Sequence, residues 1–273
     1  MPNRRHFIQA AALAGSAALL CRSEGFAKEL LVNNSSLKVI PNDQHIQIGA
    51  LVFPNMDQID LTGPYAVLSR LPNSSIQLLA KEKGIIRDHL GLGLVPDATL
   101  EEAKPIDLLL IPGGPGQEAL MEDEAILSFI RDHAKSAKCV YSVCTGSLLC
   151  GAAGLLKDKQ ATTHWASLHL LKYFGAHTSS RRVVIDGNFV SAAGLTAGID
   201  GALTVAAQLR GEEAAQAIQL GIQYAPEPPF DCGNPEDAPP EILKKVRAKT
   251  DSLTQRREKT AQRIAAKLGI HPS

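Results

Sequence analysis

The run Ile106-Asp107-Leu108-Leu109-Leu110-Ile111 passes without a spacer into Pro112-Gly113-Gly114-Pro115-Gly116. A short, nearly continuous apolar run bounded by glycine and proline is the pattern of a strand buried on both faces, not of one that alternates between core and solvent. Such strands belong to parallel sheets, whose neighbours are joined by crossover helices that cover both faces. The rest of the chain alternates accordingly. Strands are expected over Ile46–Phe53, Ser75–Ala80, Lys138–Val143 and around Gln160–Thr163, with a Gly-rich hairpin over Ile85–Leu94 and another turning at Asp186-Gly187-Asn188. Helices are expected over Asp60–Leu71, with Pro64 near its start, and over Asp123–Lys135, Thr145–Ala153, His164–Phe174, Gly198–Leu209 and Glu212–Tyr224. In an open parallel sheet the ligand lies at the carboxyl ends of the strands. Three loops there carry polar or glycine residues, after Phe53, after Ile111 and after Val143, and they form the expected site walls.

The 273 residues, 45% of them hydrophobic, supply the core of one large α/β domain with a tail. Residues 1–27 combine Arg4-Arg5, an Ala- and Gly-rich apolar stretch from Ala10 to Leu20 and the small-residue site Gly25-Phe26-Ala27. This matches a twin-arginine (Tat) signal, which implies periplasmic localisation and the Tat export machinery as a partner. Residues 28–44 read as a flexible lead-in and 45–225 as the α/β domain. Residues 226–273 begin with Pro226-Glu227-Pro228-Pro229 and continue as a charged helix from Pro240 to Leu268, which packs across a surface or stays solvated. Removing the signal takes away Arg4, Arg5, Arg22 and Glu24 from a chain of formal net charge zero, so the remainder is close to neutral. That gives no electrostatic case for binding nucleic acid. The remaining cysteines, Cys139, Cys144, Cys150 and Cys232, form neither a disulfide framework nor a CxxC zinc pair.

Cys144 ends the apolar strand Val140-Tyr141-Ser142-Val143 and is followed at once by Thr145-Gly146-Ser147, a tight strand-to-helix turn. A thiol on such a turn faces free N–H groups and the positive end of the helix dipole, which favour the thiolate expected of a nucleophile. Cys139 and Cys150 fit a buried structural role better. After the first strand, Asp57 and Asp60 lie near a helix start, where either serves as a cap. Asp60, between Ile59 and Leu61, is the one expected to turn inward, lose water and carry a raised pKa suited to proton transfer. Gly113 and Gly114 let backbone N–H groups approach a ligand and, with the Thr145 N–H, bind developing negative charge. His164 and Trp165 are candidate pocket residues, His164 being the nearest thing to a base for the cysteine. Thr196 and Asp200 are candidate supporting groups.

Four segments together resemble the ThiJ/PfpI superfamily: Ile111-Pro112-Gly113-Gly114, Val143-Cys144-Thr145-Gly146-Ser147, Ala161-Thr162-Thr163-His164-Trp165 and Ala193-Gly194-Leu195-Thr196-Ala197-Gly198-Ile199-Asp200. The resemblance implies a flavodoxin-like, class I glutamine-amidotransferase-like fold. Within the superfamily, Asp57-Gln58-Ile59-Asp60-Leu61-Thr62-Gly63-Pro64 and Tyr224-Ala225-Pro226-Glu227-Pro228-Pro229-Phe230 resemble the isonitrile hydratase branch. That branch implies a homodimer, no cofactor or metal, and hydration of an isonitrile to an N-substituted formamide, with Cys144 as nucleophile and Asp60 as the facing acid. Thr145 stands where the protease-like branch has a catalytic histidine, which argues against a peptidase. The export signal is a second departure and leaves the physiological substrate open. The alternatives are a glyoxalase-type hydration of a reactive carbonyl at the same residues, and a non-catalytic ligand sensor. Sensors of this kind carry a helix-turn-helix module, for which one long helix after Pro240 leaves no room.

Overall fold

The computed structural model describes residues 35–272; the expected signal and the first part of the lead-in lie outside the described residues. The strands are β1 (Ile46–Leu51), β2 (Ser74–Ala80), β3 (Ile86–Arg87), β4 (Gly93–Leu94), β5 (Ala98–Thr99), β6 (Leu108–Ile111), β7 (Cys139–Val143), β8 (Gln160–Ala161), β9 (His177–Thr178), β10 (Val183–Asp186) and β11 (Phe189–Ala192). Seven of them form one sheet in the order β10-β11-β7-β6-β1-β2-β5. All its pairings are parallel except β10 with β11. The apolar run takes the centre: Leu108 pairs with Ile48 on one side and Cys139 on the other, and Leu108–Ile111 are fully buried. Its one acid, Asp107, sits just before the strand, where it accepts the Gln47 N–H (2.9 Å) and pairs with Lys138 (3.0 Å).

The helices are α1 (Gln58–Leu68), α2 (Gln117–Leu120), α3 (Glu124–Ser136), α4 (Gly146–Ala152), α5 (Ala197–Arg210), α6 (Glu212–Gly221) and α7 (Pro240–Leu268). They cover both faces of the sheet. On one, α1 packs on α5 and α5 on α6; on the other, α4 packs against α2, α3 and a 3-10 helix over Trp165–Phe174. The helix expected over His164–Phe174 is present and wound as a 3-10 helix. Its buried residues explain the tighter winding, because Ser167, Leu170 and Tyr173 form one column and Leu171 and Phe174 another, each with a spacing of three.

The C-terminal helix α7 has the expected bounds. Pro240 occupies its first turn, and Gly269 closes it in the left-handed conformation at φ 66°. Its buried residues all lie in the second half, where Arg257, Thr260, Ala261, Ile264 and Ala265 pack against α2 and the 3-10 helix. Glu122 anchors this half through Arg263 (2.6 Å) and Lys267 (3.1 Å), and these two cations hold its carboxyl down at about 2.

Residues 36–44 have no regular structure, yet Arg210 ties them down at the amino end of the sheet. Its guanidinium donates to the carbonyls of Ile40, Pro41, Gln44, Pro72 and Asn73 at 2.6–3.2 Å. All five N–H donors of an arginine are thereby engaged.

Candidate active site

The loops after β1, β6 and β7 meet because these strands are neighbours in the sheet. Cys144 follows β7 with φ 55°, a left-handed conformation that costs a non-glycine residue about 1–3 kcal/mol. Bonds on both sides hold it there: its N–H donates to the Ala192 carbonyl (3.0 Å), and its carbonyl accepts the Thr163 hydroxyl (2.7 Å). Beneath the turn, Ser142 and Ser147 share a hydrogen bond (2.9 Å), and Ser147 donates on to the Thr162 carbonyl (2.7 Å). A turn fixed in this way aims one side chain and prevents its relaxation.

The two acids after β1 divide the work. Asp57 caps α1, accepting the Ile59 N–H (3.2 Å), while Asp60 turns inward and is 0% exposed. One oxygen of Asp60 accepts the Gly113 N–H (3.2 Å), and the other is buried without a hydrogen-bond partner. Burial first, and then the charge of Asp57, push its carboxyl up to about 8; the Cys144 thiol, the Gly113 N–H and Arg257 draw it partly back. Asp60 is therefore a neutral acid at pH 7, held on the buried face of α1 with Gly63, Pro64 and Val67.

Cys144 differs from expectation. Its side chain is 5% exposed, and burial, followed by the charge of Asp60, raises its thiol well above the ordinary value. The Thr145 N–H and Arg257 favour the thiolate, as the position at a helix start suggests, but desolvation outweighs them. The resting pair is a thiol beside a neutral carboxylic acid.

The glycine pair also takes another role. A Cβ on Gly113 would lie 2.5 Å from the Thr145 nitrogen, and one on Gly114, at φ 123°, would collide with the Asp57 nitrogen. Only glycine lets the three loops close. Their N–H groups are not left for a ligand, since Gly113 donates to Asp60 and Gly114 to the Thr145 hydroxyl (3.1 Å). The pair orients the acid and Thr145; the Thr145 N–H is the amide that faces the sulfur.

His164 caps the 3-10 helix, its Nδ1 accepting the Ala166 N–H (3.3 Å). Burial, then Arg257, lower its pKa to about 4, so it is a neutral capping group and not a partner of the thiol. Trp165 stacks at a tilt on His164, and the Arg247 guanidinium lies 5.9 Å from its ring centre. Thr196 is exposed and held by Arg182 (3.4 Å), which also bonds Asp200 (2.7 Å); Asp200 accepts the Tyr224 hydroxyl (2.8 Å). These residues form a surface network and do not touch the thiol. A cleft of about 600 Å³ lined by Phe53, Pro54, Asn55, Ile86 and Arg87 runs past the loop after β1 without reaching Cys144.

Sequence reasoning missed Arg257, which α7 places beside the site, 6% exposed. It donates to the Gly114 carbonyl (2.8 Å), the Thr145 hydroxyl (3.4 Å) and the Gln117 side-chain carbonyl (3.0 Å). The available signal was its place on a stripe with Ala261, Ile264 and Ala265, positions i, i+4, i+7 and i+8 of a helix. Among the described residues no cluster of His, Cys, Asp and Glu suits a metal ion, and the four cysteines are free.

Residues 47–208 match the model of the DJ-1/PfpI family. The isonitrile hydratase of Pseudomonas putida is 47% identical over 225 residues, covering 82% of this chain and 99% of that protein. The deglycase PfpI of Pyrococcus furiosus is 28% identical over 137 residues, half of this chain and 82% of that one. A crystal structure of a ThiJ/PfpI family protein from Pseudomonas syringae superposes with a TM-score of 0.79 at 37% identity, covering 81% of this chain and 93% of that one. A fixed thiol after β7 and a buried acid after β1 meet over the end of β6, which lies between those strands, and with the match over residues 47–208 the chain belongs to the DJ-1/PfpI family.

Proposed function

We propose that the protein hydrates an isonitrile to an N-substituted formamide, with Cys144 as nucleophile and Asp60 as proton carrier. The observation that carries this reading is the pairing of a buried, raised-pKa carboxyl with the strand-end thiol, with no histidine between them. The terminal carbon of an isonitrile must gain both a nucleophile and a proton, and this pair supplies one of each. The identity to the Pseudomonas putida isonitrile hydratase over nearly its whole length supports the same reading.

The reactive form has lost one proton from the resting pair, and as the substrate is attacked the proton that remains passes from the thiol to the neighbouring Asp60 carboxylate. The Cys144 thiolate attacks the terminal carbon, and the Asp60 proton passes to that same carbon, giving a thioimidate and an Asp60 carboxylate. Asp60 then takes a proton from water as the hydroxyl adds to the carbon, and hands it to the substrate nitrogen. Finally the C–S bond breaks, the hydroxyl proton returns to Asp60, and formamide leaves. Thiolate and neutral acid are restored.

Incubation of purified protein with an alkyl isonitrile tests this. Formamide is expected from the wild type, and none above background from Cys144→Ala. Absence of formamide from the wild type, or equal amounts from both, would sink it; methylglyoxal consumption in parallel reads the carbonyl alternative.

Two further properties belong to the proposal. The exposed apolar residues Ile85, Leu90, Leu92 and Val95 along the β3–β4 hairpin suit contact with a second copy, so a homodimer is expected on sizing and a monomer would count against it. Residues 1–27 are proposed to direct Tat export to the periplasm. Periplasmic recovery that persists in the Arg4→Lys, Arg5→Lys double variant would oppose that.

A further inference from the structure

We infer that Arg257 is the positioning residue that supplies the counter-charge for the ionised Cys144–Asp60 pair, delivered to the site by the C-terminal helix. This rests on the roles proposed for the thiol and the acid, and not on the identity of the substrate.

The first argument is one of charge. Whichever of the two groups holds the negative charge of the reactive pair, that charge lies in a dry corner, where an uncompensated ion is strongly disfavoured. Among the described residues the buried cations are Arg210 and Arg257. Arg210 stands at the amino end of the sheet and has all its donors on carbonyls. Arg257 stands at the carboxyl end, and its charge favours the ionised form of both Cys144 and Asp60. The other groups facing the pair do not replace it. Asp57 on the cap of α1 and Glu118 on α2 are acids, Tyr141 is a buried neutral phenol, His164 is neutral, and Arg256 lies on the exposed side of α7.

The second argument is geometric. The Arg257 Nη2 bonds the Gly114 carbonyl and the Thr145 hydroxyl. Gly113, the neighbour of Gly114, donates to Asp60, and the Thr145 N–H faces the Cys144 sulfur. One guanidinium therefore braces both backbone segments whose amides touch the reacting pair. Gln117 fixes the rest of the fork through Nε, while Nη1 makes no hydrogen bond among the described residues. The helix itself is held in register where α2 and the loop after it meet it, through Thr260 to Glu118 (3.0 Å) and Arg263 to Glu122.

The test reads the thiol directly. In a Cys232→Ser background, which removes the exposed cysteine among the described residues, iodoacetamide labelling of Cys144 is followed against pH by peptide mass analysis, with Cys139 and Cys150 as internal controls for unfolding. Arg257→Gln retains a hydrogen-bond donor without the charge; Arg257→Lys retains the charge without the fork. The Gln variant is expected to move the labelling profile up by one pH unit or more, about tenfold slower labelling below the rise, and the Lys variant to restore at least half of that shift. Arg257→Met serves as the uncharged variant if the Gln protein does not fold. An unmoved profile in the uncharged variant, a shift that lysine leaves unrescued, or faster labelling of Cys139 and Cys150 along with Cys144 overturns the assignment. Because no isonitrile is used, failure here is separable from failure of the formamide assay.

Discussion

Arg210 and Arg257 are each 6% exposed, at opposite ends of one sheet, yet Arg210 is covered by a thin layer of chain near the surface and Arg257 lies deep. Arg210 meets five backbone carbonyls and closes the lead-in onto the turns before β1 and β2. Arg257 meets three acceptors and has a thiol and a carboxyl within electrostatic reach. The contrast separates two uses of a buried guanidinium: saturated by neutral carbonyls it staples chain segments, and left with donors and ionisable neighbours it sets protonation states.

The largest effect that sharpens the contrast is expected from Asp60→Asn, which removes one of the two groups answering to Arg257. Activity should fall about 10²–10⁴-fold, the usual weight of a general acid. Stability should move the other way. Folding raises the Asp60 pKa from 3.8 to about 8, so its favourable contribution is complete below pH 3.8 and is lost as pH rises through 8. The Asn variant should therefore melt above wild type at pH 8.5, with the gap narrowing toward pH 5; thermal melts at the two values check the sign. Arg210→Met comes next. It strips five carbonyls of their donor and should cost about 2–4 kcal/mol in urea unfolding, while the labelling profile of Cys144 stays where it was. A displaced profile in that variant would break the contrast.

The amino-acid sequence carries much of this plan in local form. The buried central strand is legible because six residues alone define it, and α7 because proline opens it and glycine closes it. Asp60 could be told from Asp57 by its place in the helix: it lies on one face with Gly63, Pro64 and Val67, at i, i+3, i+4 and i+7, and that face is buried, whereas Ile59 beside it is only half-buried. Features set by distant segments were not legible. The neutral state of the Cys144 thiol comes from burial under three loops and a helix more than a hundred residues away in sequence. The engagement of the Gly113 and Gly114 amides depends on Asp60 and Thr145 arriving from other strands. The 3-10 winding of Trp165–Phe174 was present as a spacing of three, but the same residues also satisfy a helical spacing of three and four.

The left-handed backbone at Cys144 has a consequence for descent. Glycine and, less well, asparagine accept that conformation more readily than cysteine. A lineage that no longer needs the thiol gains stability by exchanging it, whereas a β-branched side chain is barred throughout. A cysteine retained at this position is therefore a mark of selection acting against the preference of its own backbone.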